Sequence, residues 1–421
     1  MVRFCAKLEY TKDEVTKVKT VNQYRLGSVV GSGTYCKVKW AEGNDGGRFA
    51  IKVFSKSVME RRQCARFDRV GASTISLREK IESELHILEV LQQHENITSL
   101  IEVINDPEFD KFYVVFEGLL GGPLMEWKSL STCGAYGVNS DPSVVRQCWG
   151  SEVRCECGEA DPKFGEIAVC TEGITQYLFR QLLQAVSYIH SRNVVHKDLK
   201  PDNVLLSMPL PAADPRFVQL LGLQEWPSVV ARPLPPLESA ATSEVSCTPA
   251  AGPGPVTAAA DAGESGPGVE MAAPESRTVS QAGQLQSLLA KSGLVLKVSD
   301  FNTAVICDTP DCLIYDAEGT TLFSAPECYV DRDRGIDGKK RDVWSLGCIL
   351  FVMLFGRCPF WAEEALALQI MIMMEDFTLP HGILTSQAED LIRSLLRKDP
   401  AGRPIVTSAL QHSWLQETGS V

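Results

Sequence analysis

An α+β fold is predicted by three patterns in this 421-residue chain: short β-branched strands, helices with a single apolar stripe, and one long, mainly apolar run at 343–355. Gly31-Ser32-Gly33-Thr34-Tyr35-Cys36-Lys37-Val38 reads as a glycine-rich turn between two strands, where missing side chains let backbone N–H groups approach an anion. Phe49-Ala50-Ile51-Lys52 follows as an apolar strand ending in a cation. Apolar residues at 81, 85, 88 and 91 predict a helix with one buried stripe. Leu294 to Ser299 is a further short strand. The run from Val343 to Phe355 falls short of the ~20 residues a bilayer span needs, so it predicts a buried helix.

Composition narrows the partners. A net charge of -12 and a pI near 5.2 disfavour nucleic acid and anionic membranes, while 44% hydrophobic residues suffice for a core. The N-terminus has neither an apolar h-region nor a glycine at position 2, and with 14 Cys the expectation is a cytoplasmic protein of mainly reduced thiols.

The most informative stretch is His196-Lys197-Asp198-Leu199-Lys200-Pro201-Asp202-Asn203. It supplies a carboxylate to orient and deprotonate a hydroxyl, a cation for developing phosphate charge, and an oxygen ligand for a hard metal ion. Asp198, Lys200 and Asn203 fit those roles in phosphoryl transfer. Here the sequence resembles the eukaryotic protein kinases, whose catalytic loop reads His-Arg-Asp-Leu-x-x-x-x-Asn; Lys200-Pro201 is similar to the Ser/Thr branch, and Lys197 stands where Arg is usual.

The resemblance implies a bilobal fold: an N-terminal extension at 1–23, a small β-sheet lobe at 24–117, a larger helical lobe at 118–415 and a tail at 416–421. It implies that Gly31, Ser32, Gly33, Val38, Ala50 and Lys52 bind ATP, and that Glu84, preferred over Glu82, pairs with Lys52. Asp300 of Asp300-Phe301-Asn302 joins Asn203 as a magnesium ligand; Asn302 replaces the family's Gly, and Asn tolerates positive φ. Thr320 is implied to bond Asp198 and Lys200, Arg403 to be the buried partner of Glu327 in Ala325-Pro326-Glu327, and Asp342 to anchor the catalytic loop.

Three insertions interrupt this pattern. Residues 57–78 carry Arg61, Arg62, Arg66, Arg69 and Arg78, read either as a solvated loop or as a docking element. Residues 128–172 carry Cys133, Cys148, Cys155, Cys157 and Cys170, read as reduced thiols in preference to a zinc site, because Cys-x-Cys is not the usual ligand spacing. Residues 208–292, with 12 Pro, are expected to be disordered, and Val218–Trp226 and Leu285–Leu289 are read either as docking motifs or as frayed ends.

Lys52 with its Arg-rich insert, Leu100 to Pro107, Tyr113 to Glu117 and Gly122 to Glu126 resemble the calcium/calmodulin-dependent protein kinase kinases and related activators of AMP-activated-type kinases. That resemblance implies Phe116 as gatekeeper, Glu117 to Leu119 as the hinge bonding adenine, and activation loops of other kinases as substrates. Those kinases carry a basic calmodulin-binding segment where this sequence reaches Val421, so calmodulin control is not expected. Phosphate on Thr309 or Tyr315 would dock on Lys197 without a bidentate fork. A pseudokinase scaffold acting through its inserts is the alternative, favoured by Lys197, Cys36 and Asn302.

Overall fold

The computed structural model describes residues 2–33, 35–69, 71–91, 94–129, 134–137, 170, 172–210, 279–330, 334–379 and 384–416. Its N-terminal part is built on strands β1 (Arg3–Cys5), β2 (Tyr10–Lys12), β3 (Lys19–Val21), β4 (Tyr24–Ser32), β5 (Lys37–Gly43), β6 (Arg48–Ser55), β7 (Gln63–Asp68), β8 (Gly71–Ser76), β9 (Leu100–Ile104) and β10 (Lys111–Glu117). Eight of these form one sheet in the order β1-β9-β10-β6-β5-β4-β3-β2. The β10 strand is buried on both faces because the side-chain period is 2 and both sets are apolar. Phe112, Val114 and Phe116 face the helix that covers the sheet, whereas Tyr113 and Val115 pack with Tyr24 and Ile51 in a second cluster.

The covering helix, α2 (Leu77–Val90), buries Ile81, Leu85 and Leu88 on the expected stripe. Ser76 starts it with a reciprocal capping box: its hydroxyl accepts from Glu79 N, and the Glu79 carboxylate accepts from Ser76 N at 2.7 Å. The Arg-rich 57–78 insertion is not a loop. It holds α1 (Lys56–Arg61) and the antiparallel hairpin β7–β8, and Arg78 belongs to α2, where it pairs with Glu82 at 2.9 Å and Glu60 at 2.7 Å.

The C-terminal part is mainly helical: α3 (Glu172–Ser191), α4 (Val279–Ser292), α5 (Gly338–Phe355), α6 (Ala365–Met374) and α7 (Ser386–Leu395). The apolar run predicted as a buried helix lies in α5, which is buried on all sides from Arg341 to Phe355. Asp337 caps its start by accepting from Lys340 N at 3.0 Å, and Gly356, at φ 70°, ends it in the left-handed conformation that costs glycine least.

The expectation of disorder over 208–292 fails at its C-terminal end. Residues 279–292 form α4, and Leu285 and Leu289 are buried against α3, with Gln286 Nε2 donating to Gln176 Oε1 at 3.2 Å. The four-residue spacing of those leucines puts them on one helix face, which the adjoining proline-rich composition obscured. Residues 211–278, including the Val218–Trp226 motif, and the cysteines at 133, 148, 155 and 157 lie outside the described residues; Cys170 is buried. Among the described residues, no helix is long and apolar enough to cross a membrane.

Candidate active site

Lys52 stands on β6 beside Val38 of β5 and Val114 of β10, and it shares a sheet face with Ala50, which pairs with Phe116. That face looks onto α2, so strand alternation alone aims the ammonium at the helix. Lys52 Nζ donates to Glu84 Oε1 at 2.7 Å and to Asp300 Oδ1 at 2.9 Å. Burial opposes the ammonium's charge, but the two carboxylates outweigh it and hold the Lys52 pKa above the ordinary lysine value. Asp300 is held below the usual carboxylate range, where burial is outweighed chiefly by Lys52. Glu84 is buried on the inward stripe of α2, whereas Glu82 is 57% exposed and turned to Arg78.

The residues from Asp198 to Asn203 converge as closely with Thr320. Asp198 Oδ1 accepts from Thr320 Oγ1 at 2.7 Å and from Thr320 N at 2.9 Å, while Oδ2 faces Lys200 Nζ at 2.9 Å and Asn203 Nδ2 at 3.2 Å. Lys200 Nζ also donates to Thr320 Oγ1 at 2.9 Å. Pro201 opens a single 3-10 turn, closed by Asn203 N donating to Lys200 O at 3.0 Å, and this turn brings the Asn203 amide back to Asp198 O at 2.8 Å. Two small strand pairings, 204–206 with 296–298 and 194–195 with 305–306, bring the loop and the segment that starts at Asp300 together.

Asp342 of α5 ties the loop from below. It accepts from His196 N and Lys197 N, each at 3.0 Å, and from His190 Nε2 at 2.9 Å, taken as the protonated ring nitrogen. Arg403, fully buried, donates through both terminal nitrogens to Glu327 at 2.7 Å in a bidentate pair.

Asn302 does not use the positive φ that Asn tolerates; in this stretch it is Asp300, at φ 62°, and in the loop Lys197, at φ 68°, that are left-handed. What Asn302 supplies is a side chain whose Nδ2 donates to Asp300 Oδ2 at 3.3 Å. In the turn at 31–38, Gly33 N donates to Cys36 O at 3.0 Å, and burial raises the pKa of the half-buried Cys36 thiol; Thr34 lies outside the described residues. Glu117 is held by Lys297 Nζ at 3.0 Å and by Ser99 N at 2.6 Å, and Phe116 and Leu119 are buried on either side.

Sequence reasoning missed Lys297, and it missed what holds Lys197. Lys197 Nζ donates to both oxygens of Asp316, at 3.0 and 2.9 Å, and Arg341 donates to the carbonyls of Lys197, Asp316 and Glu318. Lysines and acids spread over a hundred positions carry no local signal that they will meet.

Residues 152–212 and 285–415 match the protein kinase domain family. The chain is 25% identical over 407 residues to the serine/threonine-protein kinase GRIK1 of Arabidopsis thaliana, covering 96% of this chain and 69% of that protein. The matches support a Ser/Thr protein kinase. GRIK2 of the same plant is 25% identical over 398 residues, with 66% of its length covered, and the probable Ser/Thr kinase fhkD of Dictyostelium discoideum is 25% identical over 418 residues, with 38% covered. The kinase is ATP-dependent, acts on protein, and belongs to a class that works with a divalent metal ion.

Proposed function

We propose that this kinase is bilobal, that the sheet-and-α2 part and the helical part hold ATP between them, and that it transfers the γ-phosphate to hydroxyls on the activation loops of downstream kinases. The observation that carries the reading is the junction of two hydrogen-bonded sets, Lys52–Glu84–Asp300 and Asp198–Thr320–Lys200–Asn203, whose spacings all lie at 2.7–3.2 Å. Asp198 would orient the substrate hydroxyl and take its proton, with Thr320 fixing the carboxylate and Lys200 offsetting charge on the moving phosphoryl group. Lys52, steadied by Glu84, would grip the nucleotide phosphates beneath Gly31, Ser32 and Gly33. Val38, Ala50 and Phe116 would flank adenine, and the backbone from Glu117 to Leu119 would bond it.

Asp300 and Asn203 offer carboxylate and amide oxygens, a donor set that fits a hard cation such as Mg²⁺. Held there, Mg²⁺ would neutralise negative charge on the phosphates. The kinase-kinase reading rests on the resemblance of the region from Lys52 through Glu126.

The test is a transfer assay on a panel of activation-loop segments from AMP-activated-type kinases, with wild type, Asp198→Asn and Asp300→Asn. Wild type should phosphorylate the loop threonine, Asp198→Asn should lose several orders of magnitude in kcat while still binding ATP, and Asp300→Asn should lose metal-dependent nucleotide binding. Equal activity in all three would refute the mechanism, and transfer only to unrelated peptides would refute the substrate class.

A further inference from the structure

The segment from Asp300 to Glu327 crosses a group of buried cations on its way to Thr320. Lys197 and Arg341 have side chains only 5% and 1% exposed, yet neither faces the reacting atoms around Asp198. An unpaired charge at such a site is costly, so something must neutralise it. Asp316 does so: its carboxylate takes both Lys197 hydrogen bonds, accepts from Glu318 N at 2.9 Å and lies 3.9 Å from Arg341 Nη1. Glu318 extends the network, with Oε2 3.6 Å from Lys197 Nζ and Oε1 paired with Lys80 of α2.

These contacts join three parts of the site. Lys197 precedes Asp198, Lys80 stands one helical turn before Glu84, and Thr320 follows Glu318 by two positions. Between them, Gly319 takes φ 141° where a Cβ would meet Lys197 O at 2.6 Å, so the segment crosses the catalytic loop at contact distance.

Resting on the reading of this site as a phosphoryl-transfer centre, we infer that Asp316, with Glu318, is a built-in anionic clamp that positions Thr320 against Asp198 and α2 against Lys52, so that the segment needs no added phosphate to reach its working arrangement. A phosphoryl group on neighbouring Tyr315 would bring further negative charge to cations already engaged by carboxylates. Asp316 and Lys197 are positioning residues, since neither touches the reacting atoms.

The experiment uses the full chain made in bacteria, treated with phosphatase and shown by intact mass to carry no phosphate. Wild type should be active in that state. Asp316→Asn and Lys197→Met should each lower kcat on a protein substrate by about ten- to a hundredfold, with KM for ATP changed less than about threefold. Lys197→Arg should retain activity, and the double variant should be no worse than the weaker single, because both remove one coupling. Lys80→Met and Glu318→Gln, at the more exposed end, should cost a few-fold, and they carry the test if thermal melts show that Asp316→Asn does not fold.

Activity of Asp316→Asn within about twofold of wild type would overturn the clamp. So would a phosphate-free wild type that is silent until the segment 300–327 is phosphorylated. A wild type as inactive as Asp198→Asn in both states would instead overturn the reading of the site as a transfer centre.

Discussion

Glu84→Gln is the substitution that tests the end of the site proposed to grip the nucleotide. Lys52 is balanced between two carboxylates, at 2.7 Å from Glu84 and 2.9 Å from Asp300, with Glu84 only 7% exposed. Neutralising Glu84 leaves Asp300 as the remaining anion, so the ammonium is drawn toward the residue proposed to hold metal. The lost term is one charge-assisted hydrogen bond in a sheltered site, worth about 1.5–3 kcal/mol. If it is made mainly in the reacting complex, kcat/KM for ATP falls about ten- to a hundredfold. Glu82→Gln is the control: Glu82 meets only the surface side of Arg78, whose pairs are about half exposed, and the change should leave kcat/KM within about twofold. The assay is steady-state transfer at varied ATP, with melts to show that both variants are folded. Equal effects from the two substitutions, or a Glu84→Gln loss below about threefold, would refute the claim that this pair sets the lysine.

Leu289→Ala, on the helix that the proline-rich context obscured, should cost about 2–5 kcal/mol and lower the melting temperature by several degrees; an unchanged melt would mean that α4 does not dock. Burial raises the pKa of Cys36, so its reactive thiolate is scarce below the ordinary value of 9.0 and alkylation should be slow at neutral pH, faster as pH rises past that value, and blocked by ATP. Alkylation at neutral pH as fast as that of a free thiol would contradict this. Asp110 is held down to about 2 by hydrogen bonds from Ser55 and then Ser57. A folded-state pKa below the ordinary 3.8 means a stabilisation present above 3.8 and lost as pH falls through about 2, so the melting difference between wild type and Asp110→Asn should close over that window.

What the sequence determined by itself was local or strongly patterned. The 3.6-residue stripe of Ile81, Leu85 and Leu88 follows from backbone geometry, so it could be read without a partner in view. The spacing from Asp198 to Asn203 was legible for the same reason, since one turn begun at Pro201 brings the amide back to the carboxylate. Only the tertiary structure decided the rest. Composition hid α4, because ordering a helix beside a proline-rich stretch becomes favourable only when Leu285 and Leu289 find α3 to bury against. The hairpin at 63–76 needed cross-strand pairing that a run of arginines does not announce. The partners of Lys197 lie 119 positions away at Asp316 and 144 away at Arg341, and charge carries no address along a chain: which carboxylate neutralises which buried cation is settled when packing excludes water and leaves the nearest oxygen as the remaining solvation.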